Sequence, residues 1–539
     1  MRTSAEQPTL LVRLRGQAGS AESGVGARTP DGSTRESARR ARPARVWPVL
    51  LGCLVLSALT LLFPSTPTYD PWAWILWGRE IAHLDLTTSG GPSWKPLPVL
   101  FTIPFSIFGE HAAPLLWVWV ARAGALLALA MAFRVARRLV GGAAGVVAGL
   151  FAAAFLFSSF KYIRDAALGN SEALLAALAL WAFERHLDGR RDHALYLGFA
   201  AALLRPEVWP FLGLYGIWLW FREPELRLRM VGLAALIPLL WFGPELWGSG
   251  EPFRAGSRAN KPNPGSAAFA DNPGLEVIRR FNHVTIKPLE AAALIAVIHA
   301  ALAWLRRREQ RATLFLFLTG AAWLLLVAGM TAGGFAGNQR YLIVTTAAVC
   351  VLGGIGIGRI FEAVQQRVAD RTSNPRTGLA AAAAAFALGV LALSPVIGQK
   401  ADNARLTLDR LRYEASIWNG LRDVVDKAGG RERLRACGGV YSGPFQTQMV
   451  AYTLGIHGEQ VGWEQTPAPG VAFRTRTVPA GPKVVAMTDS RFRQIATTGR
   501  WTALTSPRKD ARGRECPTSS RYAPRVPGGR DTPDLRSAG

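Results

Sequence analysis

The stretch 66-TPTYDPWAWILWGREI-81 follows the first long apolar run of the chain and places one acid, Asp70, between an aromatic residue and a proline. Trp72, Trp74 and Trp77 come next, in a pattern that reads as a lipid–water boundary, where indole rings concentrate. Asp70 with Pro71 also reads as a helix start, the acid at the N-cap and the proline at the first helical position. A charge at the mouth of a membrane span asks what the rest of the chain does with it.

Working outward, apolar runs long enough or nearly long enough to cross a bilayer as helices fall at 46–63, 114–133, 139–157, 171–183, 194–204, 208–221, 230–247, 289–305, 313–331, 342–357 and 378–397. The fifth and sixth are parted only by Arg205-Pro206-Glu207, which reads as a tight helical hairpin or as one kinked helix; a single span would put 306-RRREQR-311 outside, against the charge rule. The 539 residues are 50% hydrophobic and carry a net charge of +25. Mean hydropathy is +0.16, too apolar for a soluble chain and too polar for one that only spans the membrane.

The location of the charge excludes a nucleic-acid partner. Arginines cluster at the ends of apolar runs: 35-RESARRARPAR-45, 134-RVARR-138, 188-DGRRD-192, 227-RLR-229, 306-RRREQR-311 and 367-RVADRTSNPR-376. Short basic loops are retained in the cytoplasm. Eleven spans with a cytoplasmic N-terminus put every one of these clusters inside and the C-terminal region outside. The fold class expected is therefore a mainly α, polytopic membrane protein of about eleven transmembrane helices, with a small extracytoplasmic α/β domain.

The domain organisation follows from shifts in composition. Residues 1–45 are rich in Arg, Gly and Ser with little to bury, and read as a disordered basic cytoplasmic tail. Residues 46–400 form the transmembrane domain. Within them 95-KPLPVLFTIPFSIFG-109 is too short and proline-punctuated for a span and reads as an interfacial helix in a long first outer loop, about 64–113. A second long outer loop runs over about 248–288.

From 401 to 516 an amphipathic helix, 403-NARLTLDRLRYEASIWNGLRDVVDKAGG-430, leads to strand-like segments at 436–443, 471–478, 483–489 and 501–506, with a helix over 446–455. Residues 517–539 read as a disordered tail. Cys53 and Cys350 lie inside apolar runs, whereas Cys437 and Cys516 lie in the polar C-terminal part and form a plausible disulfide pair if that part is outside the cytoplasm.

Three charged features fall on the outer side: Asp70, Lys95 in 91-GPSWKPLPVL-100, and Arg340 with Tyr341 in 333-GGFAGNQRYLI-343. Two more accompany them. One is 161-KYIRDAALGNSE-172, with Asp165 and Glu172. The other is the hairpin tip with Arg205 and Glu207.

At these residues the sequence resembles the GT-C superfamily of integral-membrane glycosyltransferases, in its protein O-mannosyltransferase and aminoarabinose transferase branch. There an acid follows the first span, a Lys/His-Pro-Pro-Leu-like motif opens an interfacial helix, and an Arg-Tyr pair starts a late span. The matches here are Asp70, WKPLP and QRYLI. This sequence departs from the mannosyltransferases at Pro71, where they carry Glu, and at Leu97, which separates the two prolines. No Asp-x-Asp lies near, so no cofactor is implied, and a divalent metal is left open.

The resemblance implies transfer of a sugar from a polyprenyl-phosphate donor to an envelope glycan, lipid or protein at the outer face of the cytoplasmic membrane. The residues suit that chemistry by themselves. Attack of an acceptor hydroxyl on the anomeric carbon needs a base, for which Asp70 is the first choice, with Asp165 a further candidate catalytic residue. The lipid phosphate that leaves needs fixed cations and donors, which Lys95, Arg340, Arg205 and Tyr341 supply. Trp72, Trp74, Trp94 and Glu207 are expected to line the sugar or acceptor site, and no metal ligands are expected. The competing reading is a non-enzymatic transporter or scaffold for lipid-linked envelope intermediates, which predicts charges spread along a path through the spans.

Overall fold

A computed structural model describes residues 46–506, apart from Phe160, Leu393, 464–468 and Thr488. The tails expected over 1–45 and 517–539 lie outside the described residues. The chain is mostly helical. In order it forms α1 Trp47–Thr60, α2 Tyr69–Ala82, α3 Pro96–Phe105, α4 Ala112–Val140, α5 Gly142–Phe157, α6 Tyr162–Ala167, α7 Glu172–Leu187, α8 Arg191–Ala202, α9 Trp209–Arg222 and α10 Arg227–Ser249. There follow α11 Arg254–Ala259, α12 Pro273–Phe281, α13 Lys287–Arg307, α14 Arg311–Ala332, α15 Ile343–Thr372, α16 Pro375–Ala392 and α17 Ser394–Lys427. The C-terminal part adds α18 Arg431–Ala436, β1 Gly439–Ser442, α19 Thr447–Leu454, β2 Val461–Gly462, β3 Gly470–Arg476, β4 Lys483–Val484, β5 Arg493–Thr497 and β6 Thr502–Ser506.

The expected apolar runs coincide with α1, α4, α5, α7 to α10 and α13 to α15, and the last is divided between α16 and α17. Among the described residues, five helical stretches are long and apolar enough to cross a membrane on length and composition: Ala112–Val140, Pro224–Ser249, Lys287–Arg307, Arg311–Ala332 and Gln339–Thr372. The protein is a multi-pass membrane protein. Arg205 is extended and Pro206–Val208 forms one 3₁₀ turn, so the segment between α8 and α9 is a tight hairpin. Proline fits there because the first turn of a helix has no partner for its missing N–H.

The stripe 351-VLGGIGIG-358 places α15 at the centre of the bundle. A Cβ at Gly354 would stand 2.3 Å from the Ala148 carbonyl of α5, and one at Gly356 would stand 1.8 Å from the Ala292 carbonyl of α13. Only glycine admits two neighbours so closely, and small residues are how helices in lipid gain packing.

The helix expected over the proline-rich stretch of the first outer loop is α3, started by Pro96 behind the extended Lys95. It crosses α2 at Gly78, where a Cβ would meet the Thr102 hydroxyl at 2.4 Å. Thr102 Oγ1 donates to the Trp74 carbonyl at 2.7 Å and secures the crossing.

The start of α2 differs from expectation. Thr68 is the N-cap, and Asp70 lies inside the first turn. Its carboxylate is taken up by a distant arginine, described below, rather than by the N–H groups of its own helix.

The tryptophans also take another place. Trp72, Trp74, Trp77 and Trp94 are all at most 2% exposed. Trp72 packs against Trp418 and Tyr452, each 5.3 Å away between ring centroids. Trp77 packs on Trp94 at 5.4 Å, and its indole donates to the Thr87 carbonyl. The C-terminal part covers α2, so rings that the sequence placed at a lipid boundary belong to a protein core.

That part is built on a mixed sheet of order β2-β1-β3-β6-β5, with β4 paired to β3. β1 runs parallel to β2 and β3, whereas β6 is antiparallel to both β3 and β5. The strands at 439–442, 470–476, 483–484 and 502–506 and the helix α19 stand where expected, while β2 and β5 were not foreseen. The boundary expected at 400 falls within α17. Cys53 and Cys350 are free and buried. Cys437 is disulfide-bonded, and Cys516 lies outside the described residues.

Candidate active site

Asp70 on α2, Lys95 before α3, Glu172 at the start of α7, Arg205 at the hairpin tip and Arg340 before α15 meet at one point. Arg340 Nη2 donates to Asp70 Oδ2 at 2.7 Å, and Nη1 donates to Asn170 Oδ1 at 3.3 Å. The Glu172 Oε1 atom is the hub. It stands 3.8 Å from Lys95 Nζ, 3.5 Å from Arg205 Nη1 and 3.7 Å from Arg340 Nε. Both Glu172 oxygens are nonetheless buried without a hydrogen bond, so the attraction is one of charge rather than of directed bonds.

The three cations differ in freedom. Arg205 is held by Glu207, accepting from Nη2 at 2.5 Å and Nε at 3.1 Å, and lies 4.0 Å over the Tyr341 ring. Lys95 donates to Ser171 Oγ at 3.2 Å and stands 4.9 Å over the Trp74 ring. The Arg340 side chain keeps 28% of its surface open. Tyr341 OH accepts from Asn338 Nδ2 at 3.2 Å, which leaves its own proton to donate.

The pair formed by Glu207 and Arg205 corrects the lining role expected for Glu207, which is buried and committed to the arginine. Trp72 and Trp94 are likewise core residues, because the C-terminal part and α10 occupy their faces; the Trp94 indole donates to the Leu240 carbonyl. Trp74 remains at the site as the floor beneath Lys95.

Burial and charge set the titration of the groups outside the spans. Burial alone would raise the Asp70 carboxyl, but Arg340 and Lys95 more than offset it and hold the group below the usual carboxylate range. Burial pulls the Lys95 ammonium down to about 8, with Glu172 opposing and Arg205 and Arg340 adding to the fall. Burial, with the Glu172 charge, pushes Asp165 up to about 6. The cation next to Asp165 in sequence, Arg164, pairs instead with Glu414 of α17 at 3.3 Å. Among the described residues no cation stands within 4 Å of the Asp165 carboxylate.

Two supports were not foreseen. Arg122 of α4 donates to the Ala167 carbonyl that ends α6, the helix carrying Asp165, and to the Thr60 carbonyl that ends α1. Arg254 of α11 donates to the carbonyls of Ser89, Gly91 and Pro92, and Arg258 donates to that of Gly91. The segment between α10 and α12 thereby fixes the backbone that presents Lys95. Among the described residues, no group of three or more His, Cys, Asp or Glu side chains is placed to hold a metal ion.

This bundle, with its charged cleft at the start of α2, α7 and α15, shares its fold with solved structures of ArnT. ArnT, the aminoarabinose transferase of Cupriavidus metallidurans, aligns in its structure bound to undecaprenyl phosphate over 86% of this chain and 98% of its own, at 14% identity and TM-score 0.51. Its apo structure aligns over 85% and 98%, at 13% identity and TM-score 0.53. A looser likeness, at 13% identity and TM-score 0.45, joins 77% of this chain to 64% of the Archaeoglobus fulgidus oligosaccharyltransferase tethered with an acceptor peptide containing the NVT sequon. No family model and no curated protein matches the sequence.

Proposed function

We propose that the protein transfers a sugar from a polyprenyl-phosphate carrier to an envelope glycan, lipid or protein at the outer face of the cytoplasmic membrane. The observation that carries this reading is the convergence of Lys95, Arg205 and Arg340 on one buried carboxylate, with two further carboxylates beside them. A lipid phosphate leaving group needs such a clamp, because its growing charge is stabilised by cations already in position. That the structural relative ArnT is bound to undecaprenyl phosphate supports a donor of this class.

In the step proposed, the acceptor hydroxyl oxygen bonds to the anomeric carbon while the bond from that carbon to the phosphate oxygen breaks. The configuration inverts, the hydroxyl proton passes to a carboxylate, and the polyprenyl phosphate departs paired with Lys95 and Arg340. Tyr341 donates a hydrogen bond from its hydroxyl to a phosphate oxygen. Asp165 suits the base better than Asp70. It is unpaired among the described residues and titrates at about 6, whereas Asp70 is bound to Arg340 and held lower. Asp70 then positions the arginine.

The test incubates the purified protein with a panel of radiolabelled polyprenyl-phosphate sugars and candidate acceptors, comparing wild type with Asp165→Asn and Asp70→Asn. Loss of a base costs roughly 10²- to 10⁴-fold in rate. Wild-type rates in Asp165→Asn would remove it from the role of base, and no transfer with any donor would sink the reading as a whole.

A further inference from the structure

Away from this site, a pocket of about 300 Å³ opens between the end of α1, the start of α4 and the C-terminal third of α17. Leu61, Phe63, Leu115 and Trp418 form its apolar walls, and His111, Asn419 and Arg422 give it a polar end. Arg422 is held there by protein contacts that leave its charge uncompensated. Its guanidinium carbon lies 5.0 Å over the Trp418 ring, Nη2 donates to Asn419 Oδ1 at 3.1 Å, and Nη1 donates to His111 Nδ1. Its Nε is buried without a partner. The acid next to His111, Glu110, is committed to Arg431 at 2.7 Å. Among the described residues no carboxylate stands within 4 Å of Arg422.

The surroundings identify the kind of ligand. α4 is one of the helices long enough to cross a bilayer, so His111, its N-cap, stands at a lipid–water boundary. The apolar rim beside the pocket is open: Leu62 is 86% exposed and Phe63 61%. A fixed cation at one end of an apolar groove at that level matches an amphiphile with an anionic head, whose acyl chains run along the wall while its phosphate meets the guanidinium. We infer that this pocket binds an anionic membrane phospholipid, with its phosphate on Arg422 and its chains against Leu61, Phe63 and Leu115. The lipid then joins the C-terminal helix α17 to the membrane edge of α1 and α4. It also lies beside Trp418, which packs on Trp72 two residues from Asp70.

The test purifies the full chain in neutral detergent and titrates it separately with phosphatidylglycerol, phosphatidylcholine, inorganic phosphate and undecaprenyl phosphate, reading bound species by native mass spectrometry. Wild type is expected to retain phosphatidylglycerol at least tenfold more tightly than phosphatidylcholine. Arg422→Gln should lose at least tenfold in phosphatidylglycerol affinity while binding undecaprenyl phosphate as wild type does. Lys95→Ala should show the reverse. Ser65→Phe, which narrows the mouth from an intermediate surface position, should weaken phosphatidylglycerol without removing the charge.

Equal retention of phosphatidylglycerol by wild type and Arg422→Gln overturns the site. Equal retention of the two phospholipids overturns its preference for an anion. Inorganic phosphate bound as tightly as the lipid, and lost in Arg422→Gln, makes it a free-anion site instead. No sugar enters the readout, so absence of glycosyl transfer would leave the inference standing.

Discussion

Arg340 and Asp70 lie 270 positions apart in the chain and 2.7 Å apart in space. The pair ties the start of α2 to the start of α15, and it sets the direction in which the guanidinium faces. Lysine cannot reproduce this, because a single ammonium does not bridge Asp70, Asn170 and Glu172 at once. Arg340→Lys is therefore expected to lower kcat/KM by about 10²-fold, close to the effect of removing one preorganised donor. Asp70→Asn should lose a similar factor through a misdirected Arg340. If the two act as a unit, the double variant measured in the same transfer assay loses no more than either single one.

Glu172 is the anion that keeps three cations together while no phosphate is bound. Breaking a buried pair by removing one partner costs roughly 3–5 kcal/mol, because the opposite charge is left uncompensated. Glu172→Gln should therefore lower the thermal midpoint clearly. Undecaprenyl phosphate should restore it by more degrees than it adds to wild type, since the ligand supplies the missing negative charge. Equal ligand-induced shifts in the two proteins would show that the cations do not share Glu172 with a phosphate.

Three charges of this site were legible in the sequence because each stands alone beside apolar residues. Asp70, Lys95 and Arg340 are conspicuous at helix ends, and a bundle with those ends at one level brings them near. Glu172 was not separable from Lys161, Arg164 and Asp165 in the same short loop. Sequence spacing does not say which of four charges turns inward.

The tryptophans misled for a related reason. An indole at the end of a span looks the same whether lipid or a following domain covers it, and the cover here, α17 and α19, comes more than 300 residues later. β5, 493-RQIAT-497, is too polar for its alternation to stand out, and β2 is only two residues long.

Lys95 gives the site a pH limit. Its ammonium titrates at about 8, below the ordinary lysine value, because burial disfavours the charged form. The phosphate clamp needs that charge, so affinity for undecaprenyl phosphate should fall as pH rises through about 8. Lys95→Arg stays charged across that range and should bind with no such fall, though more weakly near neutrality. Titrations at several pH values in constant salt separate the two, and an unchanged alkaline fall in Lys95→Arg would assign it to another group.

The last prediction concerns how the C-terminal part is held on α2. His457 Nδ1 lies 2.9 Å from Glu80 Oε1, and Nε2 lies 3.4 Å from the exposed Asp85. Arg79 donates to the Tyr452 carbonyl at 2.8 Å beside them. The hydrogen bond to Glu80 outweighs burial and raises the His457 pKa, while burial raises Glu80 despite the histidine. A histidine raised in the folded state contributes stability that is fully present below its unfolded pKa, about 6.5, and lost as pH rises through the folded value. Glu80, also raised, has the same sign: the folded state holds its proton more tightly than the unfolded one, so its contribution too falls as pH rises, from the acidic range upward. Both shifts therefore act in one direction, and stability falls as pH rises through the folded value of His457. Wild type should melt at a higher temperature near pH 6 than near pH 8, and His457→Gln should flatten that difference. Because Glu80 is buried, Glu80→Gln should flatten it as well and not add to His457→Gln, a coincidence that two independent surface charges would not produce.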